Sequence, residues 1–175
     1  MRSISLPAHL IAGILCATVL AVTATAAEIN ALAPPKGEVI LSISGAIEHK
    51  NVPDSADFDM SMLESLGTTT LRTSTPWTDG TQEFTGVLMR DVLRAAGARG
   101  VTVNAIARNN YSYRIPLADF DEFPVLLAFA MNGVALQLRD KGPLWIVYPR
   151  DEFPELMNQP IERRMVWQLR SLVVE

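Results

Sequence analysis

Phe84-Thr-Gly-Val-Leu-Met-Arg-Asp-Val-Leu-Arg-Ala-Ala-Gly97 is the stretch on which the fold turns. Val87, Leu88, Val92, Leu93 and Ala96 recur at helical spacing, with Arg90, Asp91 and Arg94 on the other side. Such a stripe puts the apolar residues on one face, so the spacing predicts a helix over 86–97 that packs on a core through that face. Thr85 or Gly86 is the expected N-cap and Gly97 the expected C-cap.

Around this helix the pattern reads mostly as short strands. Val39–Gly45 is rich in β-branched residues and ends at a glycine, and Thr68–Thr75 has high β-propensity before a turn at Pro76, Asp79 and Gly80. Between them, Asn51–Asp57 reads as a polar loop. Phe58, Met60 and Met62 then alternate with polar residues, and Leu63 and Leu66 continue the apolar side. After the helix, Val101–Ala107 alternates, and so do Tyr111, Tyr113 and Ile115 up to Pro116. Val125–Ala130 is an apolar run ended by the turn signal Asn132-Gly133. Leu144–Tyr148 is a further strand between Pro143 and Pro149. Arg150–Ile161 reads as irregular with two prolines, and Trp167–Val174 as a terminal strand. Many short strands with one clear helix predict an α+β, β-rich mixed domain. The sequence shows no internal repeat and no low-complexity tract.

The beginning of the chain differs in character. Arg2 precedes an apolar run, Leu10–Val22, which ends in small residues where Ala24-Thr25-Ala26 fits the rule for signal cleavage. The run is shorter than the ~20 residues of a spanning helix. The expectation is therefore a signal peptide over 1–27, a leader segment over 28–37, a domain over 38–175, export to the periplasm, and no membrane span once the signal is removed. Cys16, the one cysteine, lies inside the signal. Leu15 before it is a poor match to a lipoprotein site, so lipidation is not expected. The chain has 15 basic and 19 acidic residues. Arg2 leaves with the signal and no acid does, which leaves 14 against 19, a balance of −5. That argues against nucleic acid as a partner, because affinity there rests on basic contacts to phosphate. Without cysteine the mature domain has no disulfide framework and must be held by its core.

Residues that could carry chemistry are few. His49 is the only histidine after the signal, so a zinc site is not expected, and no G-x-S-x-G elbow supports a serine triad. Arg108, Asn109, Asn110, Tyr111 and Arg114 cluster on a turn and strand and form a candidate anion site, since arginine forks suit oxyanions. Asp119, Asp121, Glu122, Asp151, Glu152 and Glu155 read as solvated loop residues. Trp145 and Trp167 sit on strand candidates and read as core.

Five blocks, taken in order, resemble the sulfite-oxidase-type molybdopterin-binding domain. The 84–97 stretch is similar to its "W-x-G-V-x-L-x-D-L-L-x-x-A-G" helix, and Tyr113-Arg-Ile-Pro-Leu117 to its "Y-x-x-x-I-P-L" strand. Leu126-Leu-Ala-Phe-Ala-Met-Asn-Gly133 resembles "L-L-A-Y-x-M-N-G". Gly142-Pro-Leu-Trp-Ile-Val-Tyr-Pro149 resembles "G-G-P-L-R-L-V-V-P", and Val166-Trp-Gln-Leu-Arg-Ser-Leu-Val173 resembles "V-K-W-L-x-x-I-x-V". The resemblance implies that family's fold and, as cofactor, molybdenum held by a pterin dithiolene and one cysteine thiolate. This chain departs from that pattern. Where the family carries its cysteine, it has Thr73-Ser74-Thr75, and hydroxyls are poor substitutes for a soft thiolate. The family's "P-L-R" arginine is Trp145, and its "V-K-W" lysine position is Val166 beside Trp167.

The resemblance therefore implies a pocket near Thr73, Ser74, Thr75 and Trp77, with Arg108, Tyr111, Arg114 and Arg163 as the residues that would meet a ligand. The expected role is binding of a small ligand, or of a partner such as an extracytoplasmic sensor or a redox protein, with molybdopterin as the cofactor the family implies. The alternatives are a molybdopterin-dependent oxidoreductase using a non-cysteine ligand, and a structural β domain without a pocket.

Overall fold

A computed structural model describes residues 32–175, so the signal-peptide reading over 1–27, Cys16 and residues 28–31 lie outside the described residues. In chain order the described elements are β1 (Leu41–Gly45), β2 (Ser55–Phe58), α1 (Met60–Ser65), β3 (Thr68–Ser74), β4 (Thr81–Leu88) and α2 (Met89–Ala95). They continue with β5 (Thr102–Ala107), β6 (Ser112–Pro116), α3 (Ala118–Glu122), β7 (Leu126–Met131), β8 (Val134–Ala135) and β9 (Trp145–Val147). A 3-10 turn (Pro154–Leu156), α4 (Gln159–Arg164) and β10 (Leu169–Val174) complete the order.

The strands form two five-stranded sheets. The first has the order β2-β1-β10-β5-β6, and the second β3-β4-β7-β8 with β9 also paired to β7. β1 and β10 run parallel, with Ser42 opposite Ser171, and the other pairings are antiparallel. Alternation in the first sheet is regular. Val103, Ala105 and Ala107 of β5 point inward with Leu41 and Ile43 of β1, as a strand's period of two requires. In the second sheet Leu126, Leu127, Ala128 and all of β9 are buried, so both faces of its centre are covered. One hydrophobic cluster joins the inner faces of both sheets to α2.

The 86–97 helix is shorter than its periodicity predicts. β4 runs through Leu88, and α2 begins only at Met89. The physical reason is pairing: Gly86, Val87 and Leu88 are held opposite Ala128, Leu127 and Leu126, and those ladder bonds override local helical spacing. Gly86 also permits the close approach of β7, since a Cβ there would collide with the Leu127 carbonyl. The helix's other end follows its sequence signal. Gly97 takes φ +64, its N–H donates to the Arg94 carbonyl at 2.9 Å, and Ala98 N–H donates to the Leu93 carbonyl at 3.0 Å, the paired bonds of a Schellman stop.

Three more sequence readings shift. Ser55–Asp57, read as loop, pairs with β1 as part of β2. Met60 and Met62, read as alternating, lie in α1, because Asp59 caps that helix by accepting from Met62 N–H at 2.9 Å. Arg150–Ile161, read as irregular, contains the 3-10 turn and the start of α4, whose cap Asn158 accepts from Ile161 N–H at 3.0 Å.

Asp59 also ties down the segment that leads into the domain. Its carboxylate accepts from Lys36 N–H at 2.7 Å, Gly37 N–H at 2.8 Å and Ser61 Oγ–H at 2.7 Å. The Ser61 bond and the backbone bonds from Gly37, Met62 and Lys36 outweigh burial and hold the carboxyl far below the ordinary aspartate range. A depressed folded-state pKa contributes stability above the unfolded value and loses it as pH falls further. Stability is therefore expected to decline as pH drops below about 4, the ordinary aspartate pKa. Asp59→Asn should flatten that decline while lowering stability at neutral pH, as read by urea midpoints between pH 2 and 7.

Candidate ligand-binding site

β3 ends at Ser74, and the next residues build a tight hydroxyl turn. Thr75 Oγ1 accepts from Trp77 N–H at 3.2 Å and lies 2.9 Å from Thr78 Oγ1, while Thr75 N–H donates to Thr78 Oγ1 at 3.2 Å. This turn holds the Trp77 ring outward, 37% exposed. The ring packs edge-on to Trp167, with centroids 4.8 Å apart and planes at 83°, and lies 6.2 Å from Trp145. Beneath them Trp145 is fully buried, edge-on to Phe84 at 5.3 Å, and its indole N–H donates to the Met165 carbonyl at 3.1 Å.

Trp77 and Trp167 border a cleft of ≈ 340 Å³. Its apolar wall is Trp77, Trp167, Tyr111, Met165, Val166 and Ala107. Asn109, Gln159, Glu162 and Arg163 supply its polar atoms. Tyr111 reaches it from the β5–β6 turn, where Asn110 takes φ 67 and Asn109 Oδ1 accepts from Tyr111 N–H at 2.9 Å. The Tyr111 hydroxyl donates to the Arg163 carbonyl at 3.0 Å, which fastens that turn to α4. Burial raises the Tyr111 phenol above its usual pKa, and Tyr113 adds to that, so it stays protonated at neutral pH.

The structure thus brings Trp77, Tyr111 and Arg163 to one cleft and places the other candidates elsewhere. Thr73 is fully buried, and its Oγ1 accepts from Asp151 N–H at 3.1 Å. Ser74 gives both its hydroxyl and its N–H to the Asp151 carboxylate, which also accepts from Thr81 Oγ1–H at 2.8 Å. Burial pushes the Asp151 pKa up, but the bonds from Ser74 and Thr81 and the charge of Arg150 outweigh it and leave the carboxyl low. Thr75 shapes the turn beneath Trp77 and does not line the cleft. Arg108 is exposed, and Arg114 pairs with Glu175 at 2.8 Å. His49, read as a surface loop residue, is half-buried with Nδ1 2.9 Å from the Ala95 carbonyl at the end of α2.

Sequence reading misses the acids and arginines behind the cleft. Asp119 is not a solvated loop residue: it is 8% exposed on α3, accepting from the Tyr148 hydroxyl at 2.6 Å and from Arg164 Nη1 at 2.6 Å. Arg150, also 8% exposed, reaches Glu162 Oε1 at 3.1 Å. Only a weak signal marks them, namely arginines beside otherwise apolar runs. Among the described residues no group of three His, Cys, Asp or Glu residues is placed to hold a metal ion. No helix among them is long and apolar enough to cross a membrane.

One mixed and one antiparallel sheet with few helices, and an aromatic cleft between strand ends and α4, define a β-rich α+β domain of the sulfite oxidase type. The family described as "Oxidoreductase molybdopterin binding domain" matches residues 49–153, and the chain belongs to that family. Among solved structures it is similar to the sulfane dehydrogenase SoxCD from Paracoccus pantotrophus, with a TM-score of 0.57 and 21% identity. That match covers 77% of this chain and 37% of the other, so the shared part is the fold, and this chain spans well under half of that relative. No curated protein matches the chain.

Proposed function

We propose that this chain is an exported, periplasmic member of the molybdopterin-binding family that holds no thiolate-ligated molybdenum and acts as a binding module, either for a small ligand or for an extracytoplasmic sensor or redox partner. The observation that carries this reading is the state of Thr73-Ser74-Thr75, the position of the family's cysteine. All three hydroxyls are engaged internally, with the Asp151 backbone, the Asp151 carboxylate and the Trp77 turn respectively.

The donor set here does not fit the family's metal group. A soft metal wants a thiolate, and an anionic dithiolene would meet the charge of Asp151. The arginines nearby are already paired in charge, buried Arg150 with Glu162 and half-buried Arg164 with Asp119, although each keeps a buried Nε–H without a partner among the described residues. Among the described residues Arg163 is the one cation lining the cleft, which is little for a phosphorylated pterin.

The test is metal and pterin analysis of protein isolated from the periplasm of cells that make the molybdenum cofactor. Molybdenum far below one atom per chain, on a protein whose intact mass lacks residues 1–27, is the expected result. Stoichiometric molybdenum with pterin would overturn the binding-module reading in favour of an oxidoreductase with a non-cysteine ligand.

A further inference from the structure

We infer that the Trp77–Trp167 cleft takes a small, flat aromatic acid, its ring seated in the corner of the two indoles and its carboxylate met by Arg163. This names the ligand class for the binding-module reading above and rests on it.

Size sets the first bound. A cleft of ≈ 340 Å³ is at the lower end of small-molecule sites, which run from roughly 300 to 1,000 Å³. One or two fused rings with a short polar group fill it. The walls set the second. Trp77 and Trp167 stand nearly perpendicular, so a flat ring can meet the face of one and the edge of the other, the two arrangements that aromatic quadrupoles favour. Met165 and Val166, both 1% exposed, give that corner an apolar floor. Trp77 is the one tryptophan left substantially open to solvent, and covering it removes apolar surface from water.

Charge decides the sign of the ligand. Glu162 lines the cleft, but its Oε1 is held by Arg150, so its charge is offset from behind. The Arg163 guanidinium has no ion pair and no hydrogen bond among the described residues. The Tyr111 hydroxyl proton is committed to the Arg163 carbonyl, and Asn109 Oδ1 to Tyr111 N–H, which leaves the N–H₂ of Asn109, a residue lining the cleft, as a further donor. The only unpaired charge among the described lining residues is therefore a planar cation, beside the side-chain amides of Asn109 and Gln159. They match a carboxylate, which arginine can hold through two parallel bonds, and oppose an ammonium.

The chain has three tryptophans, so its indole N–H signals in a ¹H–¹⁵N spectrum form a three-point map. Trp77→Phe and Trp167→Phe assign them. The protein, purified after export, is titrated with 2-naphthoate, 2-naphthamide and 2-naphthylmethylammonium. The naphthoate should shift the Trp77 and Trp167 signals saturably and the Trp145 signal least. The ammonium should bind at least tenfold more weakly. Arg163→Gln should weaken naphthoate about tenfold, the range lost with a charged hydrogen bond, and leave the amide unchanged, while Arg163→Lys recovers part of the loss. Arg163 is exposed, so these variants keep the fold.

Equal or tighter binding of the ammonium, an unchanged naphthoate affinity in Arg163→Gln, or no shift of Trp77 at millimolar probe would each overturn the inference. Molybdenum content reports separately on the broader reading. Failure of the probes with no molybdenum present removes the aromatic acid alone.

Discussion

Trp145→Ala is expected to lose about 4 kcal/mol of stability, the usual cost of truncating a fully buried aromatic side chain. Trp145 is 0% exposed, packs edge-on to Phe84 at 5.3 Å and anchors the Met165 carbonyl at 3.1 Å. Its removal leaves a cavity, strips an acceptor of its donor, and takes away the surface beneath Trp77 and Trp167. In a domain of this size the melting temperature should fall by about 10 °C. Trp145→Phe keeps a ring but loses the indole N–H and part of the buried volume, so about 2–3 kcal/mol is expected. Urea unfolding followed by far-UV circular dichroism reads both. A loss below about 1 kcal/mol in the alanine variant would show that the neighbours collapse into the gap and that the ring is not the anchor of the cleft.

Asp119→Ala should be nearly as costly. The carboxylate holds Tyr148, the residue directly after β9, and Arg164 of α4 at once, each at 2.6 Å. Removing it leaves a fully buried phenol and a mostly buried guanidinium without their acceptor, and breaking a buried pair on one side costs about 3–5 kcal/mol. Because Arg164 keeps some solvent contact, the lower end is expected, with a melting temperature lower by roughly 6–12 °C. Replacing both partners by apolar residues, as in Asp119→Leu with Arg164→Met, should recover much of that loss, since no unpaired charge then remains buried.

The same cluster governs the alkaline limit. Burial first, then the charge of Asp119, hold the Tyr148 pKa well above its ordinary value. A raised folded-state pKa leaves its stabilisation intact below the unfolded value, about 10 for tyrosine, and removes it as pH rises beyond that. Stability of the unmodified protein should therefore fall steeply above about pH 10, and ultraviolet titration should show one tyrosine that ionises only on unfolding.

The strands were legible in the sequence where burial alternates or where an apolar run sits between turns. Val101–Ala107 and Val125–Ala130 carry that signal in their own side chains, and β5 (Thr102–Ala107) and β7 (Leu126–Met131) lie within one residue of those bounds. The helix at 84–97 was legible as an element and not in its extent, because Val87 and Leu88 satisfy helical spacing and strand pairing equally. Only the register with Leu127 and Leu126 decides between them. The cleft was legible in part. Trp77, Tyr111 and Arg163 could be named from the resemblance and from residue chemistry. That Trp77 meets Trp167 across a long stretch of chain could not, since no local pattern encodes it. For the same reason Asp119 reads as one acid in an acidic loop until the fold brings Tyr148 and Arg164 to it.

The parallel pairing of β1 with β10 has a consequence in time. Ser42 and Ser171 are partners, and β10 lies between β1 and β5 in the middle of the first sheet. That sheet has no centre until the last strand has been synthesised. At ~10 residues per second, β1 waits roughly ten seconds for the strand that pairs with it. Folds dominated by such non-local contacts also close slowly, on the order of milliseconds to seconds once the chain is complete. For that interval the first sheet stays open and its strands are exposed to proteases. A chain cut short before Leu169 would keep that sheet open.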